Sequence, residues 1–162
     1  MADALGQLSR YEGRLTLTHQ TGEDDLDRVK AASAKSKFSN ADVRPFISDI
    51  ADEFGRADLL ICRAGATTCA EIAAAGKAAV LIPFPSAADN HQQKNAEAFE
   101  SAGAAKMILQ RDLSGEVLAD AIGKFIESPM AIGEMESAAR RLGHPDAAER
   151  TVDIIEELKL NV

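Results

Sequence analysis

Two short apolar runs, each followed by a helix-forming segment, constrain the fold of this chain more than any other feature. The first run, Leu59–Cys62, leads through the small residues 64–66 into a helical pattern that ends at Gly76. The second run, residues 78–84, leads through a polar loop into another helical pattern. This order is typical of parallel strands whose following loops lie at one sheet edge. That edge is where open α/β sheets bind ligands.

The same alternation of strand and helix patterns continues over the whole sequence. Helices are predicted at 2–11, 23–35, 46–56, 67–75, 90–102, 113–127, 132–142 and 147–160, and strands at 15–19, 41–45, 59–62, 78–84 and 106–109. We therefore predict an α/β fold, a Rossmann-like doubly wound parallel sheet with five strands, in one domain over residues 1–162. Such domains usually open with a strand and a glycine-rich turn. Because this chain opens with a helix, we expect it to lack that first strand.

Composition and charge exclude several classes of function. A formal net charge of −8 over 162 residues argues against non-specific nucleic-acid binding and against docking on an anionic membrane through this chain. No apolar stretch approaches the ~20 residues that span a bilayer, and residues 1–10 lack the pattern of a secretory signal. Cys62 and Cys69 favour two reduced thiols in a cytosolic protein. The alternative is a catalytic thiol at Cys69, with its pKa lowered in a first helical turn, although no base for it is evident.

Glu71 has two interpretations. Thr68 and Glu71 have the T-x-x-E spacing of a capping box, in which the two side chains bind backbone N–H groups at a helix start. Alternatively, a carboxylate one turn into this helix accepts hydrogen bonds from the ribose hydroxyls of a nucleotide, as acidic residues do elsewhere in doubly wound nucleotide sites. The two interpretations are compatible in part.

The turn before that helix carries a weak signal for phosphate binding. Arg63 ends the strand, where its guanidinium either pairs with a phosphate, forms a salt bridge with an acidic residue, or is simply exposed. Gly65 lies between two alanines, which indicates either a positive φ or the close approach of a ligand. The turn has no lysine and is not a P-loop, but the free N–H groups at a helix start attract anions.

A cluster of polar residues follows the second apolar run. Asn90, Gln92 and Gln93 either hydrogen-bond sugar hydroxyls or an acetamido group, or form a solvated first helical turn with Asp89 or Asn90 as its cap. His91 is either a base or phosphate contact, or a surface histidine. No spacing of His, Cys or acidic residues indicates a metal site, and no nucleophile motif such as G-x-S-x-G is present.

The sequence between Arg63 and Asn95 resembles the C-terminal domain of the bacterial MurG glycosyltransferase family. The resemblance rests on RAGATTCAE at 63–71, AG at 75–76 and IPFPSAADNHQQKNA at 82–96, and it extends to residues 19–22, 46–49, 103–106 and 145–148. That family transfers N-acetylglucosamine (GlcNAc) from UDP-GlcNAc to lipid I and forms lipid II for peptidoglycan. The resemblance implies the GT-B architecture, in which two Rossmann-like domains face a cleft and the C-terminal domain holds the donor.

Arg63 is a candidate ligand residue from its position at the end of the strand. The residues that the resemblance implies as donor contacts are Phe46, Ile47, Ala64, Gly65, Ala66, Thr67, Glu71, Asp89, Asn90, Gln92 and Gln93. The first two would line the uracil pocket, and the backbone of residues 64–67 would lie along the pyrophosphate and nucleoside. Glu71 would bind the ribose hydroxyls, and the last four would contact or approach the GlcNAc.

The implied reaction is an inverting transfer with UDP as the leaving group. Helix N-termini and other donors, with no metal or other cofactor, would stabilise the charge that develops on the diphosphate. The family's N-terminal domain is absent from this sequence, and with it the lipid I site, the expected general base and the membrane-docking surface. We therefore expect a fragment of a two-domain enzyme, inactive alone, that binds UDP-GlcNAc and not nucleic acid. The full enzyme would be cytoplasmic and peripheral on the inner membrane.

The missing first strand has a further consequence. It would be central in a doubly wound sheet, so its absence would leave ladder groups unpaired and would favour self-association through the uncovered sheet position. Two other interpretations of the chain also stay open. It could be a non-catalytic nucleotide-sugar binding subunit of a split GT-B glycosyltransferase, or a fragment of a UDP-GlcNAc epimerase, which shares the fold.

Overall fold

The computed structural model describes residues 1–160, apart from the side chains of residues 88, 159 and 160. The strands are β1 Leu17–Gln20, β2 Ala41–Arg44, β3 Leu59–Cys62, β4 Ala78–Leu81 and β5 Ala105–Met107. The helices are α1 Leu5–Leu8, α2 Leu26–Lys35, α3 Ile50–Arg56, α4 Ala66–Ala75, α5 His91–Ser101, α6 Gly115–Glu127, α7 Pro129–Leu142 and α8 Ala147–Leu160. Short 3₁₀ turns flank α1 and precede α5 and α6.

Every strand pair is parallel, as the alternation of strands and helices predicts. β1 pairs with β2, and β3, β4 and β5 form a second sheet in that order. Leu59 lies opposite Ala78 and Cys62 opposite Leu81, so β3 and β4 end at the same sheet edge. The α/β fold with parallel strands is confirmed, and the five strands found within residues 1–160 are distributed over two sheets of two and three strands.

The chain forms two compact units, which are described separately below. The first unit comprises residues 1–57 and 108–133, and the second comprises residues 58–107 and 134–162. The prediction of one domain over the whole chain stays a prediction. No helix within the described residues is long and apolar enough to cross a bilayer.

The first unit is built on close packing between α1 and α6. Leu5 and Leu8 of α1 and Leu118 of α6 are buried. A Cβ atom added at Gly123 would lie 2.7 Å from the Tyr11 hydroxyl, so a larger residue cannot occupy this place without moving the ring. The Tyr11 hydroxyl donates to Glu127 Oε1 at 2.6 Å, which raises the pKa of Tyr11.

The core of the second unit surrounds β4. All four of its residues, Ala78–Leu81, are fully buried because strands lie on both sides and helices cover the sheet. Ile72 from α4 and Ala139 from α7 are also fully buried. Gly76 ends α4 with φ 62°, a left-handed conformation that favours glycine. Its carbonyl accepts from Arg140 Nη1 at 3.3 Å, and an added Cβ would clash with the same arginine.

Several element ends differ from the sequence-based prediction, each for a local reason. Helix α3 begins at Ile50 and not at residue 46, because the Asp49 side chain accepts from the Asp52 N–H and caps the helix there. Helix α7 begins at Pro129 and not at residue 132, because proline is favoured at the first position of a helix, where its missing N–H costs no hydrogen bond. Strand β5 ends at Met107, two residues earlier than predicted.

Candidate functional site

The candidate site in the second unit is formed by two segments at the shared edge of β3 and β4. The first is the α4 turn, residues 63–65, which follows β3, and the second is the α5 loop, residues 82–90, which follows β4. Gly65 precedes α4 and provides no side-chain cap, and Asn90 precedes α5 and makes no capping hydrogen bond. Both helices therefore begin with backbone N–H groups that no cap side chain accepts, which is the arrangement that attracts anions.

The capping-box interpretation of Glu71 is wrong. Because α4 begins at Ala66, Thr68 is its third residue and Glu71 its sixth, too far along the helix for a reciprocal cap. Glu71 is exposed, and within the described part of the chain no residue forms a hydrogen bond or ion pair with its carboxylate. The carboxylate is thus available to a ligand.

Neither a positive φ nor a lack of space requires glycine at position 65. Its φ of −63° is accessible to any residue, so the positive φ that the sequence allowed is wrong. An added Cβ would lie 3.8 Å from Thr68 Oγ1, which is an ordinary contact. The other explanation, close approach of a ligand, stays a prediction.

Arg63 joins the α4 turn to the α5 loop. Its Nη1 donates to the carbonyl oxygens of Ile82 at 3.2 Å and Pro83 at 3.4 Å, and its guanidinium lies 5.5 Å from the centre of the Phe84 ring. Arg63 forms no salt bridge with any residue that the structure describes, so that alternative from the sequence is wrong. The side chain is exposed but held in place.

Two amide side chains add further links between the same segments. Asn95 Nδ2 donates to the carbonyl of Ala64, a fully buried residue, at 3.0 Å. The Phe84 N–H donates to Gln92 Oε1 at 2.9 Å, which leaves the Gln92 Nε2 group for other partners. The sequence motif contains Asn95, but its link to the turn depends on packing and could not be predicted.

The end of the α5 loop is backbone-strained. Asp89 and Asn90 have φ angles of 50° and 54°, in the left-handed region that costs energy for residues other than glycine. The prediction that Asn90 caps α5 through its side chain is wrong. Gln93 is exposed and donates to Glu97 Oε1 at 2.8 Å along the helix, and His91 is exposed.

Phe46 and Ile47 belong to the first unit, whereas the other candidate residues belong to the second. They lie in the loop after β2, and the Ile47 N–H donates to Gln20 Oε1 at 2.8 Å. Gln20 ends the neighbouring strand β1. Phe46 is 70% exposed, so its ring presents an uncovered aromatic face at the C-terminal end of the β1–β2 sheet.

The cysteines are poor nucleophiles. Burial, together with nearby Cys69 and Glu71, raises the pKa of Cys62 to about 12. Burial also raises the pKa of Cys69, so the expectation that a helix start lowers it is wrong. Within residues 1–160, no group of three His, Cys, Asp or Glu side chains is placed to hold a metal ion.

Solved glycosyltransferase structures share this fold. The MurG crystal structure from Acinetobacter baumannii superposes with a TM-score of 0.83 at 36% identity, over 94% of this chain and 44% of that one. The glycosyltransferase VinC, solved in complex with dTDP, superposes with a TM-score of 0.71 at 15% identity, over 96% of this chain and 37% of that one. The second likeness concerns the fold alone.

Curated relatives extend the comparison at the level of sequence. Two proteins named UDP-N-acetylglucosamine–N-acetylmuramyl-(pentapeptide) pyrophosphoryl-undecaprenol N-acetylglucosamine transferase are similar to this chain. The one from Geobacter sulfurreducens is 47% identical over 94% of the chain, and the one from Syntrophus aciditrophicus is 50% identical over 93%. The chain spans 42% of the length of each.

Residues 1–151 match the glycosyltransferase family 28 C-terminal domain. This match confirms the resemblance drawn from the sequence between Arg63 and Asn95. The chain therefore belongs to glycosyltransferase family 28, as its C-terminal domain.

Proposed function

We propose that this chain is the donor-binding part of a two-domain glycosyltransferase that transfers GlcNAc from UDP-GlcNAc to lipid I and forms lipid II. The observation that carries the proposal is the start of α4, which combines uncapped N–H groups, a glycine that neither its φ nor the space around it requires, and the unengaged Glu71 carboxylate. The names of the curated relatives specify an N-acetylglucosamine transfer of this kind. Because the chain spans less than half of those relatives, the activity is proposed for a longer protein.

The proposal assigns each segment to one part of the donor. The N–H groups at the start of α4 bind the diphosphate, and the absence of a Cβ at Gly65 allows it to approach the backbone. Glu71 accepts hydrogen bonds from the ribose hydroxyls. Phe46 and the backbone of Ile47 contact the uracil.

The α5 loop and the first turn of α5 are assigned to the sugar. Gln92 offers its Nε2 group, since its Oε1 already holds the Phe84 N–H. Gln93, Asp89 and Asn90 are exposed at the same helix start. Arg63 joins the two segments through the Ile82 and Pro83 carbonyls, and its positive charge is assigned a place near the departing diphosphate.

In this mechanism the chain stabilises the leaving group and does not activate the acceptor. Negative charge builds up on the UDP as the bond to the sugar breaks, and the α4 dipole and N–H groups stabilise it. The general base and the lipid I site are assigned to the N-terminal domain of the longer protein. The chain alone is therefore expected to bind the donor without transferring its sugar.

The association and location of the chain are further parts of the proposal. β3 is at one edge of its sheet, and we expect this edge to pair with another strand, in a second copy when no other strand is present. Sedimentation at increasing protein concentration tests this, and a monomer at all concentrations would contradict it. The longer protein is proposed to act on the cytoplasmic face of the inner membrane, where fractionation of cells would place it.

Calorimetric titration with UDP-GlcNAc, with UDP-glucose as the competitor, tests the donor assignment. We expect UDP-GlcNAc to bind at least 10-fold more tightly than UDP-glucose. Circular dichroism and a thermal melt establish that the chain used is folded. A cooperatively folded chain that binds neither sugar nucleotide would overturn the assignment of the donor site to these residues.

A further inference from the structure

A groove with two lysines lies along the outer edge of β2, in the first unit. It is a cavity of about 410 Å³ whose lining includes Lys30, Lys37, Phe38, Ser39, Ala41 and Val43. This volume is within the range of ligand-binding cavities. It involves none of the residues assigned to the donor.

The groove lies beside backbone groups that have no partner strand. β2 pairs with β1 alone in the described sheet, and the bonds from Leu17 N–H to Asn40 O and from Thr21 N–H to Arg44 O establish which side of β2 faces β1. Because N–H and C=O groups alternate between the two sides of a strand, those of Ala41 and Val43 point away from β1. Both residues line the groove.

The charge of the groove is opposite to that of the chain. No acidic residue lines the cavity, whereas the whole chain carries a formal net charge of −8. Within residues 1–160, the side-chain ammonium groups of Lys30 and Lys37 form no salt bridge or hydrogen bond. The Glu12 carboxylate accepts from the Ser39 N–H at 3.0 Å and also from the Ser39 hydroxyl. It is therefore hydrogen-bonded to Ser39 and is not paired with either lysine.

Lys37 occupies a backbone position where glycine would be favoured. Its φ is 61°, and it directly follows Ser36, the C-cap of α2. Glycine commonly takes this left-handed position, and another residue costs about 1 kcal/mol there. Next to it, Phe38 is 2% exposed and forms an apolar floor.

From these observations we propose that the outer edge of β2 binds an extended acidic segment of a partner protein, which adds a strand to the sheet. The N–H and C=O groups of Ala41 and Val43 pair with the backbone of that segment. Its acidic side chains on the α2 side contact Lys30 and Lys37. The short apolar floor accommodates small apolar side chains between the acidic ones.

The first test uses a fluorescein-labelled hexapeptide of alternating Glu and Val, titrated with the full chain and followed by fluorescence anisotropy. We expect saturable binding that Lys30→Glu and Lys37→Glu each weaken at least 10-fold. Lys35→Glu is the matched control, since Lys35 is exposed on the same helix but does not line the groove, and it should change the affinity less than 2-fold. Equal weakening by all three variants would overturn the proposal.

A second test separates strand pairing from simple attraction of charge. Backbone N-methylation of the peptide at its Glu residues, or at its Val residues, blocks hydrogen bonds on one side of the strand only. We expect one of the two methylated peptides to lose binding at least 10-fold and the other to retain it. Equal binding of both would overturn strand pairing.

The same assay distinguishes other occupants. Displacement of the peptide by millimolar glutamate or inorganic phosphate, with ionic strength held constant, would identify a small-anion site and overturn the proposal. A complex of two chains that dissociates in the Lys37→Glu variant, seen by native mass spectrometry without peptide, would identify a second copy as the occupant. A mass of one chain plus one peptide supports the proposal.

Discussion

The α4 turn and the α5 loop both lead from a strand end into a helix, but they differ in how the backbone is held. The α4 turn has unstrained φ angles, and its buried Ala64 carbonyl is held by Asn95. The α5 loop ends in two consecutive left-handed residues, Asp89 and Asn90. The comparison indicates that the first segment is a pre-organised anion site, whereas the second stores strain next to the residues assigned to the sugar.

The largest expected effect concerns the carboxylate beyond the α4 turn. Glu71→Ala should weaken UDP binding by about 10- to 100-fold, because hydrogen bonds to a charged group contribute about 1.5–3 kcal/mol. The thermal stability of the Glu71→Ala variant should change little, since Glu71 does not cap α4. Glu116→Ala removes an exposed first-turn acid of α6 and serves as the control in the same calorimetric titration. Unchanged UDP affinity in Glu71→Ala would remove the ribose role.

The next effect tests how firmly the α4 turn is held. Asn95→Ala leaves the buried Ala64 carbonyl without its donor, which should lower the free energy of unfolding by about 1–3 kcal/mol. Denaturant unfolding measures this change. Gln93→Ala, which removes a bond on an exposed helix face, should lower it by only about 0.5 kcal/mol or less. Equal losses would mean that the turn is no more firmly held than the helix surface.

Gly65→Ala separates ligand approach from stability. The substitution should weaken UDP-GlcNAc binding about 10-fold, since a methyl group would stand where the diphosphate approaches. The free energy of unfolding should fall by about 1 kcal/mol at most, because alanine is a poorer residue than glycine before a helix. Gly133→Ala also adds a methyl group in open space and should leave affinity unchanged. A wild-type affinity for Gly65→Ala would leave this glycine unexplained.

The smallest effect addresses the strain in the α5 loop directly. Asn90→Gly should raise the free energy of unfolding by up to about 1 kcal/mol, because glycine adopts a φ of 54° without steric conflict. Ala66→Gly, at the first residue of α4, should instead lower it by about 0.5–1 kcal/mol. Chemical denaturation of both variants provides the comparison. If the free energy of unfolding changed in the same direction in both variants, the distinction between a strained α5 loop and an unstrained α4 turn would be wrong.

The order of elements and the position of the site followed from local patterns. The run 78–84 contains the fully buried central strand β4 and the run 59–62 forms the half-buried edge strand β3, and small residues with Gly76 mark the ends of α4. The Ser114 start of α6 was also predictable, since its side chain accepts from the Val117 N–H at 3.1 Å. Such signals lie within a few residues of each other in the sequence.

Other features depend on residues that are distant in the sequence. The T-x-x-E spacing predicted a capping box at Thr68, but the helix begins two residues earlier, after Gly65. The sequence suggested a phosphate, an acid or solvent for Arg63, whereas the structure shows the carbonyls of Ile82 and Pro83. Spacing alone cannot place a helix start within a run of small residues, and it cannot identify a partner some twenty residues away.

By itself, the sequence determined the α/β class, the parallel strands, the family and the edge at which the candidate site lies, because hydrophobic periodicity and local turn chemistry specify these. Only the tertiary structure decided that Glu71 is unengaged, that Gly65 has an ordinary φ and room for a Cβ atom, and that Ala41 and Val43 present an unpaired edge beside Lys37. Each of these facts depends on which groups meet across the fold. Hydrogen-bond pairing and burial between distant segments are not encoded in any single window of the chain.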